Sequence, residues 1–149
     1  MNRLQFIQDA KAAGDHRLIT DQVPYAKFLG ITAEELEDGG LVAKMPFVPR
    51  LVGNPAVPAL HGGGIGSLLE STAIFIVLWR LDVLSVPKTI TSSVDYLRPG
   101  KLLDTYATGR ITKHGRRVVN VQVEAWQEDR ARLIATGNVH CLVNSAKDS

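Results

Sequence analysis

A chain of 149 residues, 45% apolar and 21% charged, has the size and balance of one ordinary globular domain that buries most of its apolar surface. A formal net charge of +2 is too weak to argue for nucleic acid, and a single cysteine, Cys141, excludes an intrachain disulfide or a cysteine zinc cluster. Asp9, Lys11, Asp15, His16 and Arg17 interrupt any secretory apolar core, and the apolar run 74–79 is far shorter than the roughly 20 residues that cross a bilayer. The expectation is a cytoplasmic protein with neither nucleic acid nor membrane as a partner.

Residues 1–23 read as an N-terminal arm, in which Leu4, Ile7, Lys11 and Ala12 recur at rough helical spacing and pack on the domain or on a partner subunit. The domain itself spans 24–149. Residues 24–29 form a helical turn opened by Pro24 and stopped by Gly30. Segments 31–37 and 41–46 are two strands joined through Asp38-Gly39-Gly40. From 47 to 60, Pro49, Gly53, Asn54, Pro55 and Pro58 predict an ordered loop without regular structure.

Next comes His61-Gly62-Gly63-Gly64-Ile65-Gly66-Ser67-Leu68-Leu69-Glu70, continuing through an apolar run to Leu81. Apolar residues on every face predict a helix in the middle of the core. Glu70 stands out there, because four residues back is Gly66 and three and four on are Ala73 and Ile74, so no base pairs with it along the helix. An unpaired carboxylate is costly to bury and is either at a wet edge or held for chemistry.

The second half is a run of strands. Segment 89–97 ends at Arg98-Pro99-Gly100-Lys101, segment 102–113 ends at His114-Gly115-Arg116, and residues 119–125 and 133–143 alternate with period two around a turn at Glu128-Asp129-Arg130. No helices separate these strands, so they are antiparallel neighbours. The predicted class is α+β, a curved antiparallel sheet of about five to six strands around one long central helix. Ser67 lacks a nucleophile-elbow context because position 69 is Leu, and the glycine run matches neither a phosphate loop nor Gly-x-Gly-x-x-Gly. His16, His61, His114 and His140 show no ligand spacing, so no metal is expected.

The turn His61-Gly62-Gly63 with an acid nine residues after the histidine, and a strand ending Asp95-Tyr96-Leu97-Arg98-Pro99-Gly100, resemble the hotdog-fold acyl-CoA thioesterases. The branch most resembled is that of the phenylacetate-pathway and Arthrobacter-type 4-hydroxybenzoyl-CoA enzymes, over roughly residues 24–144. The resemblance implies a hotdog fold, an acyl-CoA substrate with no separate cofactor, and a homodimer or dimer of dimers. It assigns Glu70 as nucleophile or general base and the Gly62 N–H as the group polarising the thioester carbonyl, with His61 and Gly63 in the same turn. It offers Asn54 as an assisting amide, one residue further from Gly62 than the family's seven, and Thr89 or Thr91 as a contact of the acid.

The chemistry suits those types: a carboxylate activates water or attacks, and a free N–H at a helix N-terminus stabilises an oxyanion. Eight helical residues put Gly62 and Glu70 about 12 Å apart along the axis. If both act on one carbonyl, Glu70 must meet Gly62 of the partner subunit across a two-fold axis. Arg98, Lys101, Lys113, Arg116 and Arg117 are either solvated turn charges or contacts for the coenzyme phosphates. Phe47, Phe75 and Trp79 belong to the core or to an acyl pocket, Asn54 to a turn or to the site, and His61 to helix capping or to orienting the loop. Two other functions fit the same pattern, a hotdog dehydratase or hydratase and a non-catalytic acyl-CoA binder. Against them stand the missing His-Phe-Pro turn and an arm too small to be a DNA-binding module.

Overall fold

A computed structural model describes residues 5–144. In chain order the elements are helices α1 (Gln5–Ala13), α2 (Arg17–Thr20) and α3 (Pro24–Leu29), then strands β1 (Thr32–Glu35) and β2 (Leu41–Met45). A 3-10 turn, Pro49–Leu51, leads into β3 (Val52–Asn54) and β4 (Val57–Leu60); the long helix α4 (Gly62–Arg80) follows. Four strands end the fold: β5 (Lys88–Tyr96), β6 (Thr105–His114), β7 (Val118–Trp126) and β8 (Ala135–Leu142). Six of the strands form one antiparallel sheet in the order β1-β2-β6-β7-β8-β5, and β3 and β4 pair separately. The α+β expectation of one long helix in a curved six-stranded sheet is what the chain adopts.

The sheet wraps α4 because its inner face is apolar on alternate residues. Val119, Val121, Val123 and Ala125 of β7, and Ala135, Gly137, Val139 and Cys141 of β8, are all buried against Leu68, Leu69, Phe75, Ile76 and Leu78. Midway along the sheet the register runs Gly109–Val123–Gly137 across β6, β7 and β8. A Cβ on Gly109 would lie 2.5 Å from the Gln122 carbonyl, and one on Gly137 would lie 2.7 Å from that of Ser93. These glycines let the strands close up where Ile76 and Leu69 of the helix press in.

Four expectations need correction. The arm is two helices, and its buried apolar residues are Ile7, Ala10 and Ile19, whereas Ala12 is exposed; Leu4 lies outside the described residues. The Lys11 ammonium donates to the Leu81 carbonyl, pinning α1 to the end of α4. Residues 47–60 are not all loop, because Val52–Asn54 and Val57–Leu60 pair around the proline turn that masked them. Strand β6 starts at Thr105 rather than 102, since Gln127 ties down the backbone of Lys101. Finally, α4 is not covered all round: Gly63, Ser67, Glu70 and Ile74 form a stripe at helical spacing that no element buries. By length and composition α4 passes as a membrane span, but here half of that stretch is buried inside the fold.

Candidate active site

The glycine turn is held from three directions. The His61 N–H donates to the Leu51 carbonyl at 2.7 Å and the Leu60 N–H donates to that of Gly100 at 2.9 Å. The β3–β4 hairpin leans so closely on the turn that a Cβ on Gly53 would sit 3.0 Å from the Cα of His61. His61 is the N-cap of α4, its Nδ1 accepting the Gly63 N–H at 2.8 Å, which is the capping role its position predicts. The His61 carbonyl accepts the Gly64 N–H at 3.0 Å. Within a planar trans peptide the Gly62 N–H points the opposite way, off the end of the helix, and it has no partner among the described residues. Gly62 lines a cavity of about 320 Å³ with Leu60, Ile65, Tyr96 and Arg98.

Two turns along, the Glu70 carboxylate accepts the Thr89 hydroxyl at 2.8 Å. It is half-buried, and none of the ion pairs among the described residues involves it. The strand opposite explains which threonine reaches it. Strand β5 carries a bulge at Ile90, where the register steps from Thr89↔Cys141 to Thr91↔His140. Cys141 and Val139 are fully buried on the inner face, so Thr89 shares that face while Thr91 pairs with His140 on the outer one. Thr91 therefore lies away from Glu70, a placement the alternation of a regular strand does not reveal.

The other groups sort by place. The Asn54 Oδ1 accepts the Ala56 N–H at 2.9 Å at the exposed tip of the β3–β4 hairpin, the turn contact that its place among glycine and prolines predicts. The Ser67 hydroxyl is spent on the Gly63 carbonyl at 2.7 Å. The Cys141 thiol is pushed up to about 11, by burial first and then by the negative charge of Glu70, so it stays protonated and is no nucleophile at neutral pH. Phe75 belongs to the core, and the ring of Trp79 lies 3.8 Å from that of His16. Phe47 borders an open cavity with Leu102 and Tyr106. Among the described residues no cluster of His, Cys, Asp or Glu has the make-up of a metal site.

Of the five basic residues singled out, Arg98 and Lys101 stand at the Gly62 end of the sheet, beside a cavity of about 430 Å³ that Arg132 also lines. Lys101 reaches the Glu128 carboxylate at 2.8 Å, which holds Glu128 below the usual carboxylate range. Lys113, Arg116 and Arg117 stand at the opposite end, where Val118, Leu142 and Lys88 are neighbours. One group was missed altogether: the Tyr96 hydroxyl donates to the Gly62 carbonyl at 2.7 Å. Its only signal in the sequence is an aromatic residue just before the Leu97-Arg98-Pro99-Gly100 turn.

Comparison with known proteins bears on this geometry. Residues 58–134 match the family described as the Thioesterase superfamily, the segment that carries α4, the glycine turn and strands β5 to β7. Over 121 residues the chain is 31% identical to a medium/long-chain acyl-CoA thioesterase, YigI, of Salmonella typhimurium, covering 72% of this chain and 78% of that one. A crystal structure of a protein from Chromobacterium violaceum is 37% identical with a TM-score of 0.78, over 95% of this chain and 98% of that one. The E. coli PaaI protein from the phenylacetic acid degradation operon shares the fold at 20% identity, with a TM-score of 0.73 over 89% and 93% of the two chains. The chain belongs to the thioesterase superfamily and is a hotdog-fold thioester hydrolase.

Proposed function

We propose that this enzyme hydrolyses acyl-CoA thioesters to a carboxylic acid and free coenzyme A, in the cytoplasm and without a cofactor. Glu70 acts as nucleophile or general base, and the Gly62 N–H polarises the carbonyl. The observation that carries the reading is the state of Glu70. It is a carboxylate without a cation among the described residues, oriented by one hydroxyl, on the open stripe of the central helix.

The two groups lie about 12 Å apart along one helix, so the working site is built across a two-fold axis, Glu70 of one protomer facing Gly62 of the other. Two features support a dimer: the stripe of α4 is uncovered, and β5 is a nine-residue edge strand whose Ile90 and Tyr96 are more than half exposed. In this reading the coenzyme phosphates lie toward Arg98, Lys101 and Arg132, next to the cavity that Gly62 lines. The acyl group runs between helix and sheet. The substrate named for the Salmonella relative makes medium and long acyl chains the first to test, and the phenylacetate resemblance adds aryl and phenylacetyl esters.

The experiment is thiol release from a panel of aliphatic, aryl and phenylacetyl-CoA esters, with the same acyl groups on acyl carrier protein alongside. Wild type releases thiol, and Glu70→Gln loses at least about a hundredfold in kcat. A Glu70→Gln enzyme as fast as wild type removes Glu70 from the mechanism. Binding without thiol release makes the chain a binder, and hydration of an enoyl-CoA makes it a hydratase.

A further inference from the structure

The oxyanion donor asked of Gly62 is only as good as the direction of its N–H, and glycine is the residue least able to hold a backbone direction by itself. Two peptide planes meet at its Cα. The first, His61–Gly62, carries that N–H and is tied to the helix because the His61 carbonyl accepts the Gly64 N–H, a bond that spans both Gly62 torsions and so depends on where the second plane sits. The second, Gly62–Gly63, is gripped at both ends: its N–H donates to the His61 Nδ1 at 2.8 Å, and its carbonyl accepts the Tyr96 hydroxyl at 2.7 Å.

We propose that Tyr96 is a positioning residue for the hydrolysis, holding the Gly62 N–H on its target by gripping the carbonyl of the following peptide. The proposal rests on Gly62 being the carbonyl's donor. The surroundings of Tyr96 are shaped for this contact. A Cβ on Gly62 would sit 3.1 Å from the Tyr96 Cζ, and one on Gly66 would sit 3.3 Å from its hydroxyl oxygen, so the glycines at 62 and 66 clear the space the ring fills. The bulge at Ile90 completes the arrangement. Thr89 and Tyr96 are seven residues apart, an odd number that puts them on opposite faces of a regular strand. The extra residue brings both to the inner face, so one irregularity aims Thr89 at Glu70 and Tyr96 at Gly62.

The test is Tyr96→Phe, which keeps the ring and removes the hydroxyl, measured beside wild type and Glu70→Gln. The expected result is a kcat about tenfold lower with KM within about twofold of wild type, as for a group that improves the transition state and not ground-state binding. The pH profile and the melting temperature stay as in wild type, and amide exchange at Gly63 speeds up because the carbonyl of its peptide has lost the Tyr96 hydroxyl. Unchanged kcat overturns the proposal. So does a loss carried wholly by KM, which makes the hydroxyl a substrate contact, or a pH profile that loses a limb, which makes it a proton carrier. An inactive Glu70→Gln beside a fully active Tyr96→Phe sinks the positioning role and leaves the hydrolytic reading standing. If wild type releases no thiol, the hydrolytic reading fails on its own, and Gly63 exchange then decides for Tyr96: the same rate in both proteins ends the proposal.

Discussion

A carboxylate on a greasy helix survives where it keeps some water and finds a donor, and Glu70 has both. The Thr89 hydroxyl is its one hydrogen-bond donor among the described residues, so Thr89→Val, equal in shape and lacking the donor, is expected to lower kcat by about tenfold with little change in KM; a full steady-state comparison checks this. Cys141 gives a second prediction at this scale. Its folded-state value of about 11 stands above the ordinary 9.0, so the folded protein keeps a proton that the unfolded chain sheds between those values. Its contribution to stability is complete below about pH 9 and drains away as the pH rises toward about 11. Denaturant midpoints at about pH 8 and about pH 10.5 should fall further in wild type than in Cys141→Val. The native thiol should also resist alkylation at neutral pH, with activity unharmed.

At the scale of elements, two devices shape the site. One is the row Gly109–Val123–Gly137, where the absence of two Cβ atoms lets the sheet close on α4. Gly137→Ala would drive a methyl group to 2.7 Å from the Ser93 carbonyl, inside the ladder between β8 and β5. A loss of about 2 kcal/mol or more, read by urea unfolding, is the expected outcome; a stability equal to wild type would show that β5 can shift freely. The other device is the bulge at Ile90, which decides that Thr89 and not Thr91 faces the acid.

At the scale of the whole molecule, the open stripe of α4 and the exposed edge of β5 lie around the same face. Glu70 and Gly62 are far apart within one chain, so activity in this reading is a property of the pair. Ile90→Lys places a charge on that edge at a position 55% exposed in the single chain. It should yield a folded monomer by light scattering that has lost the activity, although Glu70 and Gly62 are untouched. A fully active monomer would defeat the shared site.

The sequence by itself determined the parts that depend on local chemistry. Alternation in 119–125 and 133–143 made the last strands, Asp38-Gly39-Gly40 made the first hairpin with Gly39 at φ 76°, and the apolar run after the glycines made the central helix. It also singled out Glu70, because a lone acid among apolar neighbours is visible in any window of the chain. The β3–β4 hairpin was hidden by Pro55 and Pro58, since its pairing is set by contact with the His61 turn and not by local preference. Only the tertiary structure decided which face each residue of β5 presents. A bulge inserts one residue into a period of two, so every side chain beyond it changes sides while the letters stay the same. For the same reason Tyr96 could be recognised only from the carbonyl it grips, 34 residues back in the chain.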